Sequence, residues 1–99
     1  MIDRQAVESI IFLALRALNA ERPPTDQIEI STSTPLFGAG SKIDSLGLVS
    51  LIVDVESLLN TELAFDASLA DDRALARATS PYSTVETLRD YVLELAREA

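Results

Sequence analysis

Residues 34–56, TPLFGAGSKIDSLGLVSLIVDVE, carry the pattern from which the fold is inferred. A loop rich in glycine and serine leads to Asp44 and Ser45, and a long apolar run follows. The apolar residues of that run recur at spacings of three and four: Leu48, Leu51, Ile52, Val55 and Leu59. This period predicts an amphipathic helix over residues 45–60, with Asn60 as its C-terminal stop.

A first helix and a long loop are predicted before this segment. Residues 3–20 carry apolar side chains at helical spacing, with Asp3 as a candidate N-cap, and Pro23 follows the helix. Residues 21–43 are rich in Pro, Thr, Ser and Gly and show no helical period. We expect four apolar residues to pin this loop to the core: Ile28, Ile30, Leu36 and Phe37.

Two more helices are predicted after it. Residues 66–78 carry a weak helical pattern with Asp66 as N-cap, and Ser83 with Glu86 fits the capping box of a last helix. That helix has an apolar face of Val85, Leu88, Tyr91 or Val92, Leu95 and Ala96. The whole pattern predicts an all-α fold, a small four-helix bundle, in a single domain over residues 1–99.

Composition excludes several kinds of protein. The 99 residues include no cysteine and no histidine, which removes thiolate metal sites, the commonest general base and the Ser-His-Asp triad. We therefore expect no enzymatic activity and no metal. The net charge of −8 disfavours nucleic acid and anionic lipid as partners. The chain shows no secretory signal and no span long enough to cross a membrane, so we expect a cytoplasmic protein. We also expect it to be a monomer.

The Asp44–Ser45 turn carries the most specific chemistry. The preceding glycines do not form a phosphate-binding loop, because their spacing and the order Gly-Ser-Lys are wrong. Asp44 is suited to cap the following helix, and Ser45 would then be its first residue. A serine without a base is a poor nucleophile, yet a phosphate attached there would lie at the positive end of the helix. Ser45 is therefore better suited to being modified than to catalysis.

Residues 43–63, IDSLGLVSLIVDVESLLNTEL, resemble the core of the acyl carrier protein family. The Asp44, Ser45 and Leu46 triplet matches the family's motif, and TPLF at residues 34–37 resembles a common upstream anchor. The resemblance implies that 4'-phosphopantetheine from coenzyme A is attached to Ser45 and carries acyl or aminoacyl groups as thioesters. Asp44 would shape the turn and contact the modifying enzyme. This chain departs from the family with Lys42 in place of a glycine and with few acids on the second helix, which is typical of a specialised member.

The resemblance also implies partners. They are a phosphopantetheinyl transferase, an acyl- or aminoacyl-loading ligase, and the acyltransferase or synthase enzymes of a biosynthetic pathway such as fatty acid or lipid synthesis. The residues that would contact them are Val49, Val53, Asp54 and Glu56. Without the resemblance, Val49 and Val53 could instead belong to the core, so the core and the partner-facing interpretations both stay open.

Two further alternatives remain open. The protein could be an unmodified carrier-like module that only docks on a partner, with Ser45 serving in a helix cap. Apolar residues of the core could, in a carrier, also line a cavity for an acyl chain: Leu15, Leu51, Ile52, Val55 and Leu88. The sequence does not identify the cargo acid.

Overall fold

The structure, a computed structural model, describes residues 2–38, 40–69 and 81–98. The helices in these residues are α1 (Arg4–Asn19), α2 (Ser45–Leu63) and α3 (Val85–Glu98). A short 3-10 turn covers Pro24–Asp26. The described residues form no strand beyond one isolated bridge between Pro35 and Thr84. The prediction of an all-α fold is confirmed, and α1 packs against both α2 and α3.

The helix predicted over residues 66–78 is absent from the part of that segment that the structure describes. Residues 66–69 are not helical, and residues 70–78 lie outside the described residues. Ala67 and Leu69 are buried and alternate with exposed Asp66 and Ser68, which is the two-residue period of an extended chain. Asp66 is therefore not an N-cap here. The described residues hold three helices, and a four-helix bundle stays a prediction.

The first helix agrees with its prediction to within one residue at each end. Asp3 caps it, because its Oδ1 accepts a hydrogen bond of 2.8 Å from the backbone N–H of Ala6. The buried face lies along Val7, Ile10, Ile11, Ala14 and Leu15. Leu13 is 46% exposed and lies outside this buried face.

The second helix runs three residues further than predicted, to Leu63. Asn60 does not stop it. The helix ends because Ala64 adopts a left-handed conformation (φ 52°, ψ 33°), and the N–H groups of Ala64 and Phe65 donate to the carbonyls of Asn60 and Leu59. An alanine in this conformation gives no sequence signal, which explains the misplaced end.

The cap of α3 lies one residue later than predicted. Thr84 and Thr87 bond reciprocally: the N–H of Thr87 donates to Thr84 Oγ1 at 3.2 Å, and the N–H of Thr84 donates to Thr87 Oγ1 at 2.9 Å. The predicted pair of Ser83 and Glu86 was wrong, because the N–H of Glu86 donates instead to the carbonyl of Thr32 at 2.9 Å. The first N–H groups of α3 are thus bonded partly by Thr84 and partly by the long loop.

The long loop between α1 and α2 is held by hydrogen bonds and by burial. The N–H of Leu36 donates to the carbonyl of Ser83 at 2.9 Å, and the side-chain amide of Asn19 bonds both main-chain groups of Ile28. Ile28 and Leu36 are buried and Ile30 is half-buried, as predicted for anchors, but Phe37 is 49% exposed and is not one. The loop therefore reaches α2 along a defined path.

An ion pair formed by the largely buried guanidinium group of Arg89 joins α3 to α1. Arg89 Nη1 lies 2.8 Å from Glu8 Oε1, and Nη2 lies 2.8 Å from Asp90 Oδ1. Burial lowers the pKa of Arg89, but hydrogen bonds to the Glu8 and Asp90 carboxylates raise it by more, so the pKa lies above its usual value. Arg89 therefore stays charged, and the pairing fixes α3 against α1.

Candidate functional site

The site is built at the start of α2 by its N-cap. Asp44 has an extended backbone, and its Oδ1 accepts a hydrogen bond of 2.7 Å from the N–H of Gly47. The carbonyl of Asp44 accepts the N–H of Leu48 at 2.9 Å, which closes the first helical turn. This is the geometry that the sequence predicted for Asp44.

Ser45 is the first residue of α2 and is exposed to solvent. Because Asp44 already caps the helix, the Ser45 hydroxyl is not needed for capping. It lies at the positive end of a 19-residue helix, where attached negative charge is stabilised. The structure thus places Ser45 where another protein can reach it.

The turn before Asp44 is anchored to the core by Ile43. Ile43 is 6% exposed, and its backbone N–H donates to Ser41 Oγ at 3.0 Å. Ile43 and Leu48 occupy the N′ and N4 positions of a hydrophobic staple. Our sequence analysis missed this anchor, although an apolar residue directly before an N-cap was the signal that could have identified it.

The ammonium group of Lys42 is held at the end of the 3-10 turn. Its Nζ donates to the carbonyl of Gln27 at 3.3 Å and lies 4.0 Å from Asp26 Oδ1. The sharp backbone turn upstream is made by Gly38 and Gly40, which have φ values of 91° and 87°. The positive φ angles of this segment thus lie at two glycines, and Lys42 does not need one.

The exposed side of α2 carries an apolar stripe, defined here as Leu46, Val49 and Val53. Their exposed fractions are 77%, 59% and 56%. Their spacing of three and four residues puts them on one side of the helix. The core interpretation of Val49 and Val53 is therefore wrong, and both valines face solvent.

The acids predicted to contact partners lie near this stripe. Asp54 is exposed and Glu56 is half-buried. Val49, Val53 and Asp54 also line a shallow groove to which α1 contributes Ala17, Leu18 and Glu21. Sequence reasoning missed the α1 residues, because only the packing of α1 on α2 brings them to the stripe.

The proposed cavity-lining residues all belong to the core. Leu15, Leu51, Val55 and Leu88 are at most 1% exposed, and Ile52 is 6% exposed. They share one cluster that draws on all three described helices. An acyl-binding cavity between them stays a prediction.

No protein-family model, curated protein or solved structure matches the chain, so the candidate site is described from its geometry alone. None of the described helices is long and apolar enough to cross a bilayer. Across residues 2–38, 40–69 and 81–98, no group of three or more acids is placed to hold a metal ion.

Proposed function

We propose that the protein is a carrier protein that bears 4'-phosphopantetheine on Ser45 and shuttles acyl or aminoacyl groups between partner enzymes. The observation that carries this proposal is the exposed Ser45 at the first position of α2, beside an N-cap that does not use it. The Asp-Ser-Leu motif and the exposed apolar stripe that follows it are consistent with the same role.

The residues at the start of α2 fit the group that they would hold. In the attachment step, Ser45 Oγ would form an ester bond to the phosphorus that bears pantetheine in coenzyme A. The phosphoanhydride bond would break, 3',5'-adenosine diphosphate would leave, and the hydroxyl proton would pass to a base of the transferase. The remaining phosphodiester would carry a negative charge, which the N-terminal end of α2 would stabilise. The attached group would supply a thiol for thioesters of the cargo acids.

The chain itself contributes position and recognition to this chemistry. Asp44 holds the first turn of α2 in place through its bond to Gly47. The apolar stripe extends from Leu46 along the exposed side of α2, so a modifying or loading enzyme that reaches Ser45 would also meet these side chains. Asp54 and Glu56 add negative charge near that contact. Under this proposal the protein is a substrate and a shuttle, with no catalytic residue of its own.

A second candidate is a carrier-like module that docks on a partner without being modified. It is favoured by the apolar stripe, which is complete whether or not Ser45 carries a group. Lys42, which stands close before Ser45 in place of the usual glycine, also favours it. The two candidates differ in one covalent bond, so a mass measurement distinguishes them.

The test is intact mass spectrometry after incubation with coenzyme A and a broad-specificity phosphopantetheinyl transferase. We expect a mass gain of one phosphopantetheinyl group in the wild type and none in Ser45→Ala. Ser50→Ala is the matched control, because Ser50 is another exposed serine of α2, and it should be modified like the wild type. Since Ser45 is exposed, Ser45→Ala should change the free energy of unfolding by less than ~1 kcal/mol. Absence of any mass gain in the wild type would favour the docking module instead.

A further inference from the structure

A groove between the start of α1 and the end of α3 forms a separate surface that uses no residue of α2. Its apolar part consists of Ile2, Leu93 and Ala96, all half-buried, and its basic part of Arg4, Arg89 and Arg97. We call these six residues the basic-apolar groove. Asp3 and Asp90 also line it.

The two carboxylates of this groove already have partners, whereas two of its arginines form no ion pair with another described residue. Asp3 is bonded to the N–H of Ala6 as the cap of α1, and Asp90 is paired with Arg89 at 2.8 Å. Arg4 and Arg97 are exposed, and neither forms an ion pair with another described residue. Two guanidinium groups therefore remain available to an outside carboxylate, in a chain whose net charge is −8.

Arg4 occupies an unfavourable position for a purely solvated charge. It is the first residue of α1, where the helix macrodipole disfavours a cation. Residues that break such a local rule without evident compensation are expected at functional sites. Arg97 lies in the last turn of α3, where the macrodipole favours it. The packing of α1 on α3 brings both bases to the edges of the same apolar surface.

We propose that the basic-apolar groove binds a short acidic segment of a partner protein. Carboxylates of the segment would pair with Arg4 and Arg97, and an apolar side chain between them would contact Leu93 and Ala96. Arg89, held by Glu8 and Asp90, would keep the floor of the groove rigid. The proposal is independent of Ser45 and holds whether or not that serine is modified.

Charge and size favour an acidic protein segment over other anionic partners. Adsorption to anionic membranes is typical of clusters of about four to eight bases, and this groove offers two free ones. Nucleic acid requires a continuous basic surface, which the net charge of −8 opposes. A peptide segment needs only one or two carboxylates beside an apolar side chain, and that is the pattern the groove complements.

The test uses defined peptides and the full chain labelled with nitrogen-15. Three twelve-residue probes are titrated by NMR: one of alternating Leu and Glu pairs, one with Lys for Glu, and one with Ser for Leu. We expect only the Leu-Glu peptide to shift the amides of Arg4, Leu93 and Arg97. No shift there up to about 1 mM peptide, a range that covers weak association, would overturn the proposal.

Charge reversal locates the contact. Arg4→Glu and Arg97→Glu should each weaken binding of the Leu-Glu peptide roughly fivefold to tenfold, as expected when an exposed ion pair becomes a repulsion. Arg16→Glu is the matched control, because Arg16 is an exposed base of α1 outside the groove, and it should weaken binding less than about twofold. Arg4→Gln and Arg97→Gln should give intermediate losses and guard against misfolding of the reversed variants.

Two other outcomes would contradict the proposal. Equal losses in Arg16→Glu and in the groove variants would show that binding follows net charge alone. Shifts of the same amides by phosphatidylserine vesicles, without shifts by the Leu-Glu peptide, would identify a lipid surface as the partner.

Discussion

The N–H of Gly47 donates to Asp44 Oδ1 at 2.7 Å, at a position where a side chain would crowd both the cap and the residue before it. A Cβ at this position would lie 3.1 Å from Asp44 Oδ1 and 3.1 Å from Ile43 Cγ2. Both contacts are tighter than ordinary van der Waals contact. Glycine at the start of a helix usually weakens it, but here it lets the cap and the buried Ile43 sit close together.

This relationship predicts coupling between Asp44 and Gly47. Asp44→Ala should lower the free energy of unfolding by roughly 0.5–2 kcal/mol, because the N-cap is lost. In a Gly47→Ala background, where the new methyl group crowds the carboxylate, we expect the same change to cost less. Urea unfolding of the wild type, both single variants and the double variant measures this difference. Strictly additive changes in the free energy of unfolding would show that Gly47→Ala leaves the cap undisturbed.

Capping and recognition by Asp44 can be separated with the same assay of modification. Asp44→Asn keeps most of the cap, since asparagine caps helices about as well as aspartate, but removes the charge. If the carboxylate contacts the transferase, both Asn and Ala variants should be modified more slowly than the wild type, while only Ala is destabilised. Equal modification rates in all three proteins would remove Asp44 from the contact.

The exposed valines predict an asymmetry between two neighbouring substitutions. Val53→Asp should change the free energy of unfolding by no more than about 0.5 kcal/mol, because Val53 is 56% exposed, but it should slow modification by disrupting the apolar stripe. Val55→Asp is the control, because Val55 is fully buried and an unpaired carboxylate there should unfold the protein. Thermal melting beside the loading assay tests both, and a melted Val53→Asp would contradict its exposure.

The left-handed end of α2 predicts a stabilising substitution. Ala64 has φ 52° and is exposed, and this conformation costs an L-residue roughly 1–2 kcal/mol relative to glycine. Glycine recovers that strain but adds about 0.4–1 kcal/mol of entropy to the unfolded chain. Ala64→Gly should therefore raise the free energy of unfolding by up to about 1.6 kcal/mol in chemical denaturation, whereas a destabilised variant would show that α2 ends elsewhere.

Association at α2 should depend only modestly on salt. Asp54 and Glu56 are the only charged residues between Ser45 and Leu59, whereas the stripe beside them is apolar. Raising ionic strength from about 0.05 to about 0.5 M shortens the screening length and weakens charge steering, but it leaves apolar contact largely intact. We expect a small fall in kcat/KM of the transferase, after correction with an unrelated carrier substrate. A steep fall would contradict the apolar contact.

Local signals in the sequence were sufficient to predict the three described helices. Asp3 caps α1 and Asp44 caps α2, because a carboxylate at those positions satisfies the first N–H groups without help from the rest of the chain. Because the Asp44 cap fixes where α2 begins, Ser45 is the first residue of that helix. Ile43 shows that a local signal can also be overlooked.

Features that depend on partners distant in sequence were decided by tertiary structure alone. The carbonyls of Thr32 and Thr34 accept the first N–H groups of α3, which moves the cap from Ser83 to Thr84. Ala67 and Leu69 are drawn into the core, so the chain there is extended where its local pattern favours a helix.

The exposure of Val49 was decided in the same way. Val55 belongs to the apolar face that the sequence predicted for α2, whereas the place of Val49, which has the same side chain on the same helix, was left open between core and surface. Val55 is buried in the core, and Val49 is 59% exposed because it lies on a side of α2 that the other described residues leave open to solvent. Capping and helix formation depend on adjacent residues, so the turn at Ser45 could be predicted from the sequence. Burial depends on how helices pack together, so the surroundings of that turn became clear only from the folded chain.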